Sequence, residues 1–253
     1  YTSSARTNYS MVRVTIWNEY HCERDNPSAE ELYPSGIHNF IASFLTESGY
    51  VTTTATLDSP EHGLSSELLD HTDVLLWWSH NKNELLDDSI AKRVTKRVLD
   101  GMGFIVLHSA LRSKPFQLLM GTSCRLKRRN ADEIERVWIV DPGHRIVQNL
   151  TTEYIEFPQS QVFSEPFDIP RPDDLVLISW NEGGEVFRSG CCWKRGKGKM
   201  FFLGPGHETH PVYHNQDIQL IIKNAIDWAA PRNSPPIQYG KMNGTTNPES
   251  NQI

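Results

Sequence analysis

Gly103-Phe-Ile-Val-Leu-His-Ser-Ala110 is the stretch on which the fold turns. Phe104–Leu107 is an apolar run short enough for a strand and unrelieved enough to be buried on both faces, as strands of a parallel sheet are. It passes without a break into His108-Ser109-Ala110, so a polar pair stands at a sharp strand-to-helix junction. Such elbows are where α/β enzymes present a reactive side chain beside backbone N–H groups.

The pattern on either side supports that reading. Upstream, Asp87-Asp88-Ser89 supplies cap residues and first-turn negative charge to a helix carrying Ile90, Val94 and Val98, and Gly101 closes it. Before that helix comes an apolar strand, Asp73–Trp78, that ends in Ser79-His80, preceded by a short helix, Ser65–His71, and a β-branched strand, Tyr50–Leu57. Ile37, Phe40, Ile41, Phe44 and Leu45 recur at helical spacing ahead of Gly49, and Val12–Trp17 reads as the first strand. Alternation of this kind predicts an α/β fold of three layers, flavodoxin-like, with a mostly parallel central sheet and helices on both faces. Beyond about residue 122 the rhythm changes to β-hairpin insertions: Arg136–Val140, Tyr154–Phe157, Leu175–Trp180, Glu185–Trp193 and Met200–Leu203. Gly183-Gly184 reads as a hairpin bend, Gly196-Lys-Gly198 as a tight turn, and Gln216–Ala230 as a last helix with Ile218, Ile221, Ile222, Ala225, Ile226 and Ala229 on one stripe. One domain is expected over 11–231, with a polar segment at 1–10 and an extended tail at 232–253.

Composition narrows the function. With 38% hydrophobic and 22% charged residues in 253, the chain is neither disordered nor fibrous. A formal charge of −6 gives no general attraction for nucleic acid or anionic lipid, so Lys127-Arg128-Arg129 and Lys194–Lys199 are expected to be solvated loops. No apolar run is long enough to span a membrane and no signal-like segment opens the chain, so a cytoplasmic location is expected. Cys22, Cys124, Cys191 and Cys192 lack any C-x-x-C spacing and are expected as free thiols. Self-association through a sheet edge or the tail is compatible with the sequence, which does not set a number of subunits.

Ligand crevices of open parallel sheets lie beyond the carboxyl ends of the strands. Those ends carry Asn18, Glu19, His21 and Cys22, then Ser79 and His80, then His108 and Ser109, and finally His207-Glu-Thr-His210. One histidine at a strand end is ordinarily a hydrogen-bonded structural residue. Imidazole or carboxylate at four separate ends points instead to a site. Three chemistries fit it. Ser109 is a candidate nucleophile at the elbow. Cys22, His80 and His108, with His207 near, offer nitrogen and sulfur donors suited to zinc, although no linear zinc spacing is present. Without a metal, Glu19 or Glu208 would act as general base or acid with His108 and His207 as proton shuttles. Asn18, Glu182 and Arg188 are candidate ligands for sugar hydroxyls; the structural alternative for Glu182 and Arg188 is the hairpin itself. Trp17, Trp77, Trp78 and Trp180 are expected mainly in the core, although they would also stack on a sugar.

Several segments together resemble the trehalose-utilisation (ThuA-like) family, whose fold is similar to that of class I glutamine amidotransferases. They are Val14-Thr-Ile-Trp-Asn-Glu19, Pro60-Glu-His-Gly-Leu64, Asp73-Val-Leu-Leu-Trp-Trp-Ser-His80, Gly103-Phe-Ile-Val-Leu-His-Ser109, Leu119-Met-Gly-Thr-Ser-Cys124, Ile178–Cys191 and Pro205-Gly-His-Glu-Thr209. The resemblance implies that His108 occupies the position of the amidotransferase cysteine, with His207 and Glu208 as the partner pair. A glutaminase reaction is therefore not expected, because imidazole does not replace a thiolate in forming a thioester. Relatives often read Trp-Gly-His-x-x-His after the third strand and carry His where this chain has Cys22. Here Asn83 takes the place of the second of those histidines, while Cys22 keeps a zinc-competent donor. The implied role is carbohydrate metabolism: a hydrolase or isomerase acting on trehalose, a related disaccharide or its 3-keto derivative. The rival is a non-catalytic sugar-binding or interaction protein that retains the fold.

Overall fold

A computed structural model describes residues 11–231; the expected segments 1–10 and 232–253 lie outside the described residues. Nine strands form one sheet: β1 (Arg13–Asn18), β2 (Val51–Thr56), β3 (Val74–Trp78), β4 (Gly103–Leu107), β5 (Lys127–Ile139), β6 (Tyr154–Ser164), β7 (Asp174–Asn181), β8 (Val186–Arg195) and β9 (Gly198–Leu203). Their order is β2-β1-β3-β4-β9-β8-β7-β5-β6. The first five in that order run parallel, the flavodoxin-like arrangement, and the remaining four continue the same sheet antiparallel. The second-half hairpins therefore extend the central sheet.

Alternation along the buried strands sorts side chains between two cores. Ile105 and Leu107 of β4 face a layer containing Ile16, Leu76 and Phe201, whereas Phe104 and Val106 face a second layer containing Leu75, Trp77 and Phe202. The helices are α1 (Cys22–Asp25), α2 (Pro27–Leu32), α3 (Ile37–Glu47), α4 (Ser66–Asp70), α5 (Asp88–Asp100), α6 (Lys114–Met120) and α7 (Gln216–Ala229). α3 and α7 cover the first face; α5 and α6 cover the other. Each fully buried Leu, Ile or Phe contributes about 1.5–3 kcal/mol relative to exposure, so the apolar stripes of these helices fix the three layers. Asn215 caps α7 by accepting from the amides of Asp217 and Ile218. Gly103 is required where α7 crosses β4, since a Cβ there would meet the backbone carbonyl of Ala229 at 2.8 Å.

Two expectations fail. Lys127-Arg128-Arg129 is not a loop but the start of β5, which is far longer than the expected Arg136–Val140. Its charged residues hide the strand in the sequence, and it is held by its ladder with β6 and by ion pairs: Arg129 with Glu133 and Glu185, Arg136 with Glu156. Lys194–Lys199 likewise spans the ends of β8 and β9 and the turn between them. No helix among the described residues is long and apolar enough to cross a membrane.

Candidate functional site

Four strand ends meet at one rim. Glu19 and Cys22 follow β1, His80 follows β3, His108 follows β4, and His207 with Glu208 follows β9. The ring centroids of His80, His108 and His207 form a triangle with sides of 5.9, 5.2 and 5.4 Å. Trp78 Nε1 donates to the Gly206 carbonyl at 3.1 Å and ties the β9 loop to β3. Gly206, at φ +148°, passes so close to Tyr213 and to the Cβ of His108 that a side chain has no room there.

His108 opens the turn after β4 with φ +50°, in the left-handed region that non-glycine residues seldom occupy. Its Nδ1 lies 2.9 Å from the Gly204 carbonyl, so the proton is on Nδ1 and Nε2 keeps its lone pair. Nε2 is buried and has no hydrogen-bond partner. The ring stacks on Phe163, centroids 4.9 Å apart at 11°. Burial, together with His207 and His80, keeps this imidazole neutral, well below its usual titration range.

Glu208 accepts from His80 Nδ1 through both oxygens, at 2.9 and 3.0 Å. Burial alone would raise its carboxyl, but that hydrogen bond and the attraction of His207 and His80 outweigh burial and hold it at about 2. His207 Nδ1 accepts from the Thr209 amide at 3.3 Å and contacts its hydroxyl at 2.8 Å. Burial lowers this ring to about 4 despite the nearby Glu208. Cys22 Sγ, one His80 nitrogen and one Glu208 oxygen lie within 4.8 Å of one another. Glu208 takes the place of the expected His108 as the third member of this group, since no His108 nitrogen lies within that distance of the other donors. Burial, then Glu208 and Glu19, push the Cys22 thiol far up. A divalent cation among these groups would relieve that repulsion, and sulfur, nitrogen and carboxylate are zinc donors, so the residues fit the metal.

Glu19 is completely buried; its carboxylate accepts from the amides of Asn81 at 2.9 Å and Lys82 at 3.0 Å and from the Cys22 thiol at 3.4 Å. It clamps the loop that carries His80. Asn18 does not reach a crevice as expected: its Nδ2 contacts Glu23 Oε1 and His38 Nδ1, and its Oδ1 accepts from the Tyr20 amide. Glu182 and Arg188 are not joined to the histidines either. Glu182 is exposed at the β7–β8 bend, and Arg188 is engaged by Glu165 at 2.7 Å and the Phe167 carbonyl. Among the described residues no hydrogen bond links Ser109 Oγ to an imidazole.

Beside the triad lies a cavity of about 480 Å³ whose wall includes His80, Ser109, Phe163, Arg112, Arg125 and Arg128. These arginines were missed by the sequence reading; the one available signal was the density of arginine between 112 and 129 in an acidic chain. Trp17, Trp77 and Trp78 are core residues, with Trp17 and Trp77 stacked at 4.0 Å.

The family described as trehalose utilisation, ThuA, matches residues 13–229. No curated protein matches the chain. Among solved structures, a ThuA-like protein from Bacteroides uniformis is similar at 15% identity and TM-score 0.61, over 90% of this chain and 95% of that one. A cytoplasmic protein from Salmonella typhimurium is similar at 13% identity and TM-score 0.54, over 87% and 100%. A glutamine amidotransferase from Thermotoga maritima is similar at 12% identity and TM-score 0.51, over 85% and 98%. At these identities the likeness is one of fold, the amidotransferase-like fold.

Proposed function

The chain belongs to the ThuA trehalose-utilisation family, and from that premise we propose that it is a cytoplasmic carbohydrate-processing enzyme, a hydrolase or isomerase acting on trehalose, a related disaccharide or its 3-keto derivative. The observation that carries this reading is the buried, partnerless Nε2 of a neutral His108 between two further imidazoles, one of which, His80, lines a cavity of small-molecule size together with Ser109 and Phe163, the chain neighbour and the stacking partner of His108. A neutral imidazole with its tautomer fixed is a general base. His108 Nε2 accepts a proton from a substrate hydroxyl or from a carbon next to a keto group, and returns it to the product. The ionised Glu208 holds Nδ1–H of His80, which leaves His80 Nε2 for substrate or a ligand. His207, its Nδ1 occupied by Thr209, presents Nε2–H as a donor to a developing oxyanion. Glu19 positions His80 through the Asn81 and Lys82 amides.

Cys22, His80 and Glu208 would hold a zinc ion, which when bound lowers the pKa of a water and polarises a carbonyl. Ser109 sits on the cavity wall without an activating base, so covalent catalysis through it is disfavoured. The His108 elbow has no thiol for glutaminase chemistry.

The test incubates the protein with trehalose, maltose, sucrose and their 3-keto forms, follows products by NMR, and measures metal by elemental analysis. Conversion that is lost in His108→Gln supports the reading, as does zinc that is lost in Cys22→Ser. Binding without conversion of any of these sugars would favour the non-catalytic alternative.

A further inference from the structure

The cavity beside His80 carries an unusual charge. Arg112, Arg125 and Arg128 line it, and no Asp or Glu does. None of the three guanidiniums has a carboxylate partner among the described residues. Their neighbours behave differently: Arg129 is bound by Glu133 and Glu185, and Arg188 by Glu165. Asp168 turns to the amide and hydroxyl of Ser123. In a chain of formal charge −6, with 31 acidic against 25 basic residues, acids to neutralise these arginines are plentiful, yet none reaches them. All three side chains are exposed, so solvent screens their repulsion, but together they leave the concavity electropositive and favour a bound anion.

We infer that the ligand of this site is a sugar bearing an anionic group, a carboxylate or a phosphate, held by Arg112, Arg125 and Arg128 with its reacting part against His80 and Ser109. The inference rests on the reading given above for the chemistry at this rim and narrows its sugar to a related one that carries a negative charge, which trehalose itself does not; its binding claim stands by itself. A guanidinium offers a planar fork that meets two oxygens of a carboxylate or phosphate at once, whereas the hydroxyls of a neutral sugar make no use of its charge. A cavity of about 480 Å³ with the His80 imidazole in its wall suits a small molecule and not a polymer backbone. Gln117, on the same wall, supplies the neutral hydrogen bonding that sugar hydroxyls need.

Calorimetric titration of the whole protein with glucose, glucuronate, glucose 6-phosphate and inorganic phosphate tests this. The sugar ring is kept while its charge changes. At least one anionic sugar should bind roughly tenfold or more tighter than glucose, from one or two charge-assisted contacts. Added salt should weaken that preference. A preference for glucose 6-phosphate and inorganic phosphate would identify a phosphate site; a preference for glucuronate would identify a carboxylate site. In Arg125→Gln/Arg128→Gln, and further in the triple variant with Arg112→Gln, the preference should vanish while the thermal midpoint stays unchanged. Equal binding of charged and neutral sugars, no binding of glucuronate, glucose 6-phosphate or phosphate at millimolar concentration, or a preference that survives the triple variant would each overturn the inference. Turnover does not enter these isotherms. A non-catalytic protein would still show the preference, and an active enzyme without it would refute only the anion site.

Discussion

Replacing His108 in two ways separates the cost of its backbone from the contribution of its ring. At φ +50° the Cβ crowds the following carbonyl, which costs an L-residue roughly 1–2 kcal/mol. His108→Ala keeps that crowding. It also loses the 2.9 Å bond to the Gly204 carbonyl and the stacking on Phe163, about 1–3 and 0.5–1.5 kcal/mol, offset in part by removal of the partnerless Nε2. A net destabilisation of about 1–3 kcal/mol follows. His108→Gly loses the same contacts and sheds the crowding. Glycine's greater freedom in the unfolded chain takes back about 0.5–1 kcal/mol, so the Gly variant should exceed the Ala variant by roughly 0.5–1 kcal/mol. At an ordinary position the order is the reverse. Urea unfolding of the two variants, with equal slopes and different midpoints, reads the difference directly. An Ala variant as stable as the Gly variant would refute a strained elbow.

Acid should destabilise the fold through its buried imidazoles. Burial holds His38 at about 4, so between that value and the unfolded value near 6.5 the unfolded chain binds a proton that the folded one refuses. Stability is therefore full above about pH 6.5 and falls as pH is lowered, by at most about 1.4 kcal/mol per pH unit for this group. In His38→Gln, whose amide oxygen still accepts from Asn18, the slope of urea midpoint against pH should shrink without vanishing, since His108 and His207 titrate in the same sense. An unchanged slope would exclude His38. Glu19→Gln should leave one of the Asn81 and Lys82 amides facing an NH₂ group, at a cost of about 1–3 kcal/mol. Hydrogen exchange at those two amides should quicken; unchanged protection there would show that Glu19 does not hold the loop.

The parallel half of the fold is legible because burial on both faces forces continuous apolar strands. Phe104–Leu107 and Val74–Trp78 have no other reading once Gly101 and the stripe of α5 lie between them. The rim histidines are legible for the same reason, since strand ends fix where His80, His108 and His207 must stand. The antiparallel half hides itself. The first half of β5 is charged and bulged, and its strand character comes from its ladder with β6, flanked by the ion pairs of Arg129 with Glu185 in the β7–β8 turn and of Arg136 with Glu156 on β6. α1 and α2 are too short for a periodic stripe to form; Asn26, whose side chain accepts from the Ser28 amide, and Pro27 are their local marks. The roles of Asn18 and Glu19 are set by partners far away, Asn81 and Lys82 some sixty residues on in the case of Glu19. The arginines of the cavity read as ordinary surface charge until the fold shows that no acid accompanies them.

Steady-state turnover of a 3-keto disaccharide by wild-type protein and by His108→Gln, both checked for equal thermal midpoints, probes the account most directly. If the His108 nitrogen is the base, kcat/KM should fall by about 10²–10⁴-fold with little change in sugar binding. A variant that turns over at the wild-type rate would contradict proton transfer at His108.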